Sequence, residues 1–173
     1  MGRDKALLPL GPVPLVVHVA RVVCEATGGS ATLVGPRDRY GSLGWPLIED
    51  QMPGDGPLGG IIAALHTTTA EYNLIVACDM PWLTVNALRD LLAERAKAEA
   101  DVILARSENG IEPLCAIYRR RCLPVLEAAL REGHRAVRRV IAQLHVHEWP
   151  VPNPRLVTNA NTAQDWAMVE AGG

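Results

Sequence analysis

The run Asn73-Leu-Ile-Val-Ala-Cys78 is almost wholly apolar and ends abruptly at Asp79-Met80-Pro81. A strand with two apolar faces must be covered on both, which suits the centre of a parallel sheet. The rest of the chain alternates strand-like and helix-like stretches around it. Ala31–Val34, Leu47–Ile48, Asp101–Ala105, Pro113–Tyr118 and His145–Trp149 read as strands. Val13–Ala26, Leu58–Thr68, Val85–Glu99, Arg121–Arg131, Arg135–Leu144 and Thr162–Ala171 carry helical spacing. The punctuation agrees. Pro12 and Pro14 stand at the start of the first helix and Gly28-Gly29 follow it. Thr84 is placed as an N-cap, and Asn109-Gly110 as a turn. This alternation predicts an α/β fold with a doubly wound, mostly parallel sheet, in one domain over residues 1–173.

Composition narrows what such a domain does. Aromatic residues make up 4% and Phe is absent, so the core must come from Leu, Val, Ile and Ala. Base stacking on aromatic platforms is not expected as a main activity. A net charge of -2 gives no basic footprint for nucleic acid. No apolar run approaches the ~18–20 residues of a membrane span. The opening Met1-Gly-Arg-Asp-Lys5 is too polar for a signal peptide. The four cysteines show no C-x-x-C spacing. A cytoplasmic protein with reduced thiols is the expectation.

In doubly wound sheets ligands bind beyond the carboxyl ends of the strands. Polar residues at strand ends are therefore the first candidates, and the sequence offers Glu49-Asp50 and Asp79. A single strand-end carboxylate suits Mg²⁺, which takes one or two carboxylates and fills its octahedron with substrate phosphates and water. A surface Asp that merely ends the strand is equally compatible with that position. Lys5, beside Arg3, is a mobile point charge suited to phosphate, though charged termini are commonly just solvated. Pro53-Gly-Asp-Gly-Pro-Leu-Gly-Gly60 opens a helix and would let backbone approach a ligand. It matches neither common phosphate-loop spacing, so a plain helix start remains open. Asn159 and Asn161 can point the same way from an extended segment; helix capping by Asn161 is the alternative, with Thr162 the other candidate cap of the last helix. His145 and His147 lack a third ligand nearby. The basic excess at 119–121 and 131–139 reads first as solvated helix face.

Taken jointly, these motifs resemble the molybdenum cofactor guanylyltransferases. That family opens with a strand and Leu-Ala-Gly-Gly-x-Ser-x-Arg-Met-Gly, followed by x-Asp-Lys-Ala-Leu-Leu; here Met1-Gly-Arg-Asp-Lys-Ala-Leu-Leu8 matches its end. Ile48-Glu-Asp50, Gly56-Pro-Leu-Gly-Gly60, Ala77-Cys-Asp-Met-Pro81, Glu112-Pro-Leu114 and Asn159-Ala-Asn-Thr162 follow in family order. The resemblance implies a Rossmann-like nucleotidyltransferase fold and transfer of GMP from GTP to molybdenum-bound molybdopterin, with release of pyrophosphate. It further implies that Asp79 holds Mg²⁺ and that Lys5 neutralises the polyphosphate. Asp50 would contact the nucleotide. Gly56, Pro57, Leu58 and Gly59 would shape the base pocket. Glu112, Asn159 and Asn161 would face the second substrate. Other cofactor-assembly proteins or molybdoenzymes would be its partners. A relative of the same fold using CTP, one acting on a sugar phosphate, and a catalytically impaired partner protein are the alternative readings.

The family's first strand and glycine-rich loop are absent from this sequence. In a doubly wound sheet the first strand is central. Its absence is expected to leave two half-sheets with unpaired edges around an apolar slot. The 173-residue form is then expected to bind GTP weakly or not at all, because the loop's N–H groups normally cradle the triphosphate.

Overall fold

A computed structural model describes residues 4–49, 54 and 56–171. Its main sheet has four strands in the order β5 (Tyr72–Val76), β7 (Gly110–Arg119), β6 (Val102–Ser107) and β8 (Val146–Pro150). β6 pairs parallel with β8 and antiparallel with β7, and β7 pairs antiparallel with β5. Strand β7 is the one reversed member. It follows β6 through the two-residue turn Glu108-Asn109, and a hairpin forces antiparallel pairing. The remaining three strands share one direction.

The sheet is covered on both faces, as the apolar runs require. In β6, Val102 and Leu104 face one cluster, while Ile103 and Ala105 face the other. This is the period of two that sends successive side chains to opposite faces. The first face is covered by α3 (Gly56–Thr67), α5 (Leu123–Arg131) and α6 (Val137–Ile141); the second by α4 (Val85–Ala93) and part of α1 (Leu15–Thr27). The helix predicted over Val85–Glu99 runs only to Ala93 before a 3-10 turn. The one predicted over Arg135–Leu144 shrinks to α6, because Ala136 is extended, at φ -78 and ψ 98, and the helix begins only at Val137.

A smaller unit lies beside this sheet. β3 (Leu33–Val34) and β4 (Leu47–Ile48) pair in parallel, and between them runs the short α2 (Arg37–Tyr40), which the sequence pattern did not suggest. A tight hairpin of β1 (Pro9–Leu10) and β2 (Val13–Pro14) leads into α1. Its C-cap Gly28 adopts a left-handed φ of 68 and donates its N–H to the Cys24 carbonyl at 2.9 Å. Among the described residues no backbone ladder joins β3 or β4 to the main sheet. Between them lies a cavity of about 960 Å³. Consecutive residues 31–34 form one wall and 72–79 the other, with Val16 and Val19 of α1 on one face and Ile61 of α3 on the other. It is a slot between two half-sheets, walled on both sides by strand residues. The last helix, α7 (Ala163–Ala171), returns to the strand-end side. Among the described residues no helix is long and apolar enough to cross a membrane.

Candidate active site at the carboxyl end of the sheet

Strand β5 delivers its end residue to the rim. Ala77 donates to the Leu114 carbonyl at 2.7 Å, and then the chain turns at Cys78-Asp79. Met80 is fully buried and Leu83 nearly so, so the turn is anchored from beneath. Thr84 caps α4 by accepting from the Ala87 N–H at 3.3 Å. The Asp79 carboxyl is therefore held by packing on its C-terminal side. Partial burial raises its pKa; nearby backbone N–H and the Lys5 ammonium oppose that shift.

The paired asparagines come to the same place. The Ala160 N–H donates to the Asp79 carbonyl at 2.9 Å, which ties the Asn159–Asn161 segment to the end of β5. Lys5 Nζ donates to both the carbonyl and Oδ1 of Asn161, at 2.8 and 3.0 Å. The first and last parts of the chain thus meet at Asp79. Asn159 Oδ1 is buried without a hydrogen-bond partner. A buried acceptor left unpaired costs free energy, and such an atom is suited to a donor or a cation brought by a ligand.

Capping of α7 falls to residues other than Asn161. Asp165 Oδ2 accepts from the N–H of Asn161 (2.9 Å) and of Thr162 (2.7 Å), while Thr162 Oγ1 accepts from the Asp165 N–H at 3.0 Å. This reciprocal capping box holds the Asp165 carboxyl below its usual range. It frees the Asn161 side chain for Lys5. Thr162, the other cap candidate, takes the capping place, and its Thr-x-x-Asp spacing is the sequence signature of the box.

A second carboxylate approaches from β7. Three residues, Pro113, Leu114 and Cys115, oppose nothing on β6, where the register jumps between Leu104 and Ala105. Such a bulge bends a strand and re-aims its side chains. Here it carries Glu112, whose pKa is raised by burial, opposed by Arg138 and reinforced by Asp79. Arg138 Nη2 lies 3.6 Å from Glu112 Oε1. One of the arginines read as solvated surface therefore faces the site.

Asp79 and Glu112 bring two carboxylates near enough to feel each other's charge, and the unpartnered Asn159 carbonyl lies on the segment tied to Asp79. That set fits a hard cation. Among the described residues there is no group of three or more His, Cys, Asp or Glu suited to a metal. A cation here would depend on ligand phosphates and water to complete its shell. Of the glycine-rich segment, Gly56 and Pro57 line the slot, while Leu58 is fully buried in the core. Gly59 is buried in the first turn of α3. Asp50 lies outside the described residues.

Residues 1–148 match the family model of the MobA-like NTP transferase domain. The chain belongs to that family. It is thereby a nucleotidyltransferase. It is 32% identical to a probable molybdenum cofactor guanylyltransferase of Nostoc sp., over 98% of this chain and 84% of that one. A protein of the same description from Synechococcus elongatus is 34% identical, over 98% and 91%. The MobA-like fold is equally plain in three dimensions. The crystal structure of molybdopterin-guanine dinucleotide biosynthesis protein A from Archaeoglobus fulgidus superposes with a TM-score of 0.81 at 25% identity, over 98% of this chain and 90% of that chain.

Proposed function

We propose that the site in this chain serves the transfer of GMP from GTP to the terminal phosphate of molybdenum-bound molybdopterin, with release of pyrophosphate, at the weak GTP affinity expected of residues 1–173 by themselves. The observation that carries the proposal is the convergence of Lys5, Asp79, Asn159 and Asn161 at one strand end, from opposite ends of the chain. The names of the relatives supply the substrates. An oxygen of the pterin phosphate forms a bond to the α-phosphorus of GTP. The bond from that phosphorus to the bridging oxygen breaks, and pyrophosphate leaves with the electron pair. In such a transfer the protein's share is positioning and charge stabilisation.

Each residue then has a task. Lys5 exchanges its hold on Asn161 for the polyphosphate, where a flexible ammonium serves as a point charge. Asp79, with Asn159 beside it, would hold a magnesium ion, which supplies charge neutralisation to the phosphates when bound. Asn159 and Asn161 orient the pterin phosphate by donating from their amides. Arg138, drawn from Glu112, offers a further positive charge to the anionic second substrate. Gly56 and Pro57 form the wall nearest the base. The four free cysteines accord with a reducing cytoplasmic setting.

The test is a transfer assay with α-labelled ATP, GTP, CTP and UTP in turn, against molybdenum-loaded molybdopterin. Label is expected to pass to the pterin from GTP, with stoichiometric pyrophosphate. Equal or greater transfer from CTP, or none from GTP while another nucleotide works, would overturn the guanylyl assignment.

A further inference from the structure

We propose that Tyr40 is a positioning residue for the Lys5 ammonium, acting through the Asp4 carboxylate. The inference rests on the reading of Lys5 as the phosphate contact. Lys5 lies in a single 3-10 turn, Lys5–Leu7, and so short an element has little stability of its own. Its place is set by its cap. Asp4 Oδ1 accepts from the Ala6 N–H at 3.1 Å, and the Leu7 N–H donates to the Asp4 carbonyl at 3.2 Å. The orientation of the turn therefore follows the orientation of the Asp4 carboxylate.

That carboxylate is fixed from α2. Tyr40 Oη donates to Asp4 Oδ2 at 2.9 Å, and Arg39 Nη1 reaches the same oxygen at 3.3 Å. The two are unequal holds. The Arg39 side chain is 58% exposed, and exposed ion pairs contribute little. Tyr40 is partly buried and packs with the small cluster that includes Ala6, Leu33 and Cys78. Burial and the bond to Asp4 push its pKa up, so it remains a donor throughout the physiological range.

The chain has made room for this ring. A Cβ on Gly35 would sit 2.6 Å from Tyr40 Cε2, so only glycine lets the ring lie against the end of β3. From there the contacts run without a break: Tyr40 to Asp4, Asp4 to the turn, Lys5 to Asn161, and the asparagine segment through Ala160 to Asp79. Tyr40 is the better enclosed of the two side chains that hold Asp4 at the start of that series. Removing its hydroxyl while keeping the ring should leave the packing intact and let the turn wander.

The experiment uses the two lysines, Lys5 and Lys97, as resolved probes. Lysine-labelled protein is examined by NMR at the Cε–Hε positions. Wild type is expected to give a Lys5 signal displaced from free lysine, with inequivalent ε protons. In Tyr40→Phe that signal should collapse toward the free-lysine shift. Lys97, bonded to Glu94 at 2.7 Å, should stay where it is and report an intact fold. Asp4→Asn should move Lys5 in the same sense, and it carries the test if Tyr40→Phe does not fold. In the transfer assay, kcat/KM for GTP should fall about three- to tenfold, mainly through KM, as expected for one lost hydrogen bond. Lys5 signals that superpose on wild type in the folded variants overturn the inference, whatever the activity. Displaced Lys5 signals in a protein that transfers nothing support the positioning role and count against the functional reading alone.

Discussion

The two half-sheets are built to different standards. The four-stranded sheet is paired along both long edges of β6 and β7 and packed on both faces; Val102, Leu104, Ala116 and Tyr118 are fully buried in one cluster. The β3–β4 pair has two residues per strand, a single ladder and a slot of about 960 Å³ at its side. Yet the residues of the proposed site sit where these regions meet: Lys5, with Asp4 holding its turn, on the lightly built side, and Asp79 and Glu112 on the dense one. The dense half fixes carboxylates in place, while the other half holds a cation by a few polar bonds. A site that must exchange internal contacts for a ligand's phosphates gains from that asymmetry.

Hydrogen exchange should expose the contrast most strongly. Amides of β6 are expected to exchange only through global opening, with protection on the order of 10⁴ or more for a domain of ordinary stability. Amides of β3 facing the slot should exchange near the unprotected rate. Comparable protection in the two strands would erase the distinction. Core truncation is the next lever. Leu104→Ala is expected to lower the unfolding free energy by about 3–5 kcal/mol in urea denaturation, since its site is closed on every side. Leu33→Ala, beside an existing cavity, should cost about 1–2 kcal/mol. Equal losses would mean that the slot is better packed in solution than the cavity implies.

Asp79 tests the meeting point of the halves. Asp79→Asn is expected to cut turnover by about 10²–10³, the scale of a lost group that acts on developing charge. Stability should move the other way. Burial raises the folded-state pKa above the unfolded value, so the folded protein binds this proton more tightly. The corresponding stability is fully present below the unfolded pKa of about 3.9 and is lost as pH rises through the raised folded value. At neutral pH the ionised carboxylate is therefore a burden without a cation, and the Asn variant should melt at the same temperature or higher. Mg²⁺ added together with GTP should raise the melting temperature of the wild type and not that of the variant. A strongly destabilised Asp79→Asn, with unchanged pH dependence, would make this residue structural.

Much of this was legible in the chain itself. The run into Asp79 marked a strand and its end at a polar rim, but not its place: β5, expected at the centre of a parallel sheet, lies at the edge of the main sheet, half-buried along its length and paired antiparallel with β7 alone among the described residues, because the slot takes the position beside it. The convergence of Lys5 with Asn161 was legible only through resemblance; residues 156 positions apart leave no local pattern. Tyr40 and Asp4 left none either, since α2 is a single turn of Arg-Asp-Arg-Tyr without apolar periodicity. The reversed strand β7 is half visible: Asn109-Gly110 signals a turn, but strands read as Asp101–Ala105 and Pro113–Tyr118 leave a connection too long to demand a hairpin. The bulge that re-aims Glu112 has no signature beyond Pro113 within a strand, where proline marks an irregularity.

Two tyrosines give the finest comparison. Tyr118 is fully buried, and its Oη donates at 2.9 Å to the carbonyl of Pro113, five residues back along the same strand. That bond closes the bulge from within. Tyr118→Phe leaves a buried carbonyl unpaired and is expected to cost about 1–3 kcal/mol of stability. It should also lower activity by loosening Glu112. Tyr40→Phe releases an Asp4 oxygen that is open to Arg39 and to water, so its stability cost should be under about 1 kcal/mol. Urea midpoints at constant m-value measure both. If the two hydroxyls prove equally costly, the polar bonds around Lys5 are as firmly enclosed as the core, and the readiness of Lys5 to leave Asn161 for phosphate loses its structural basis.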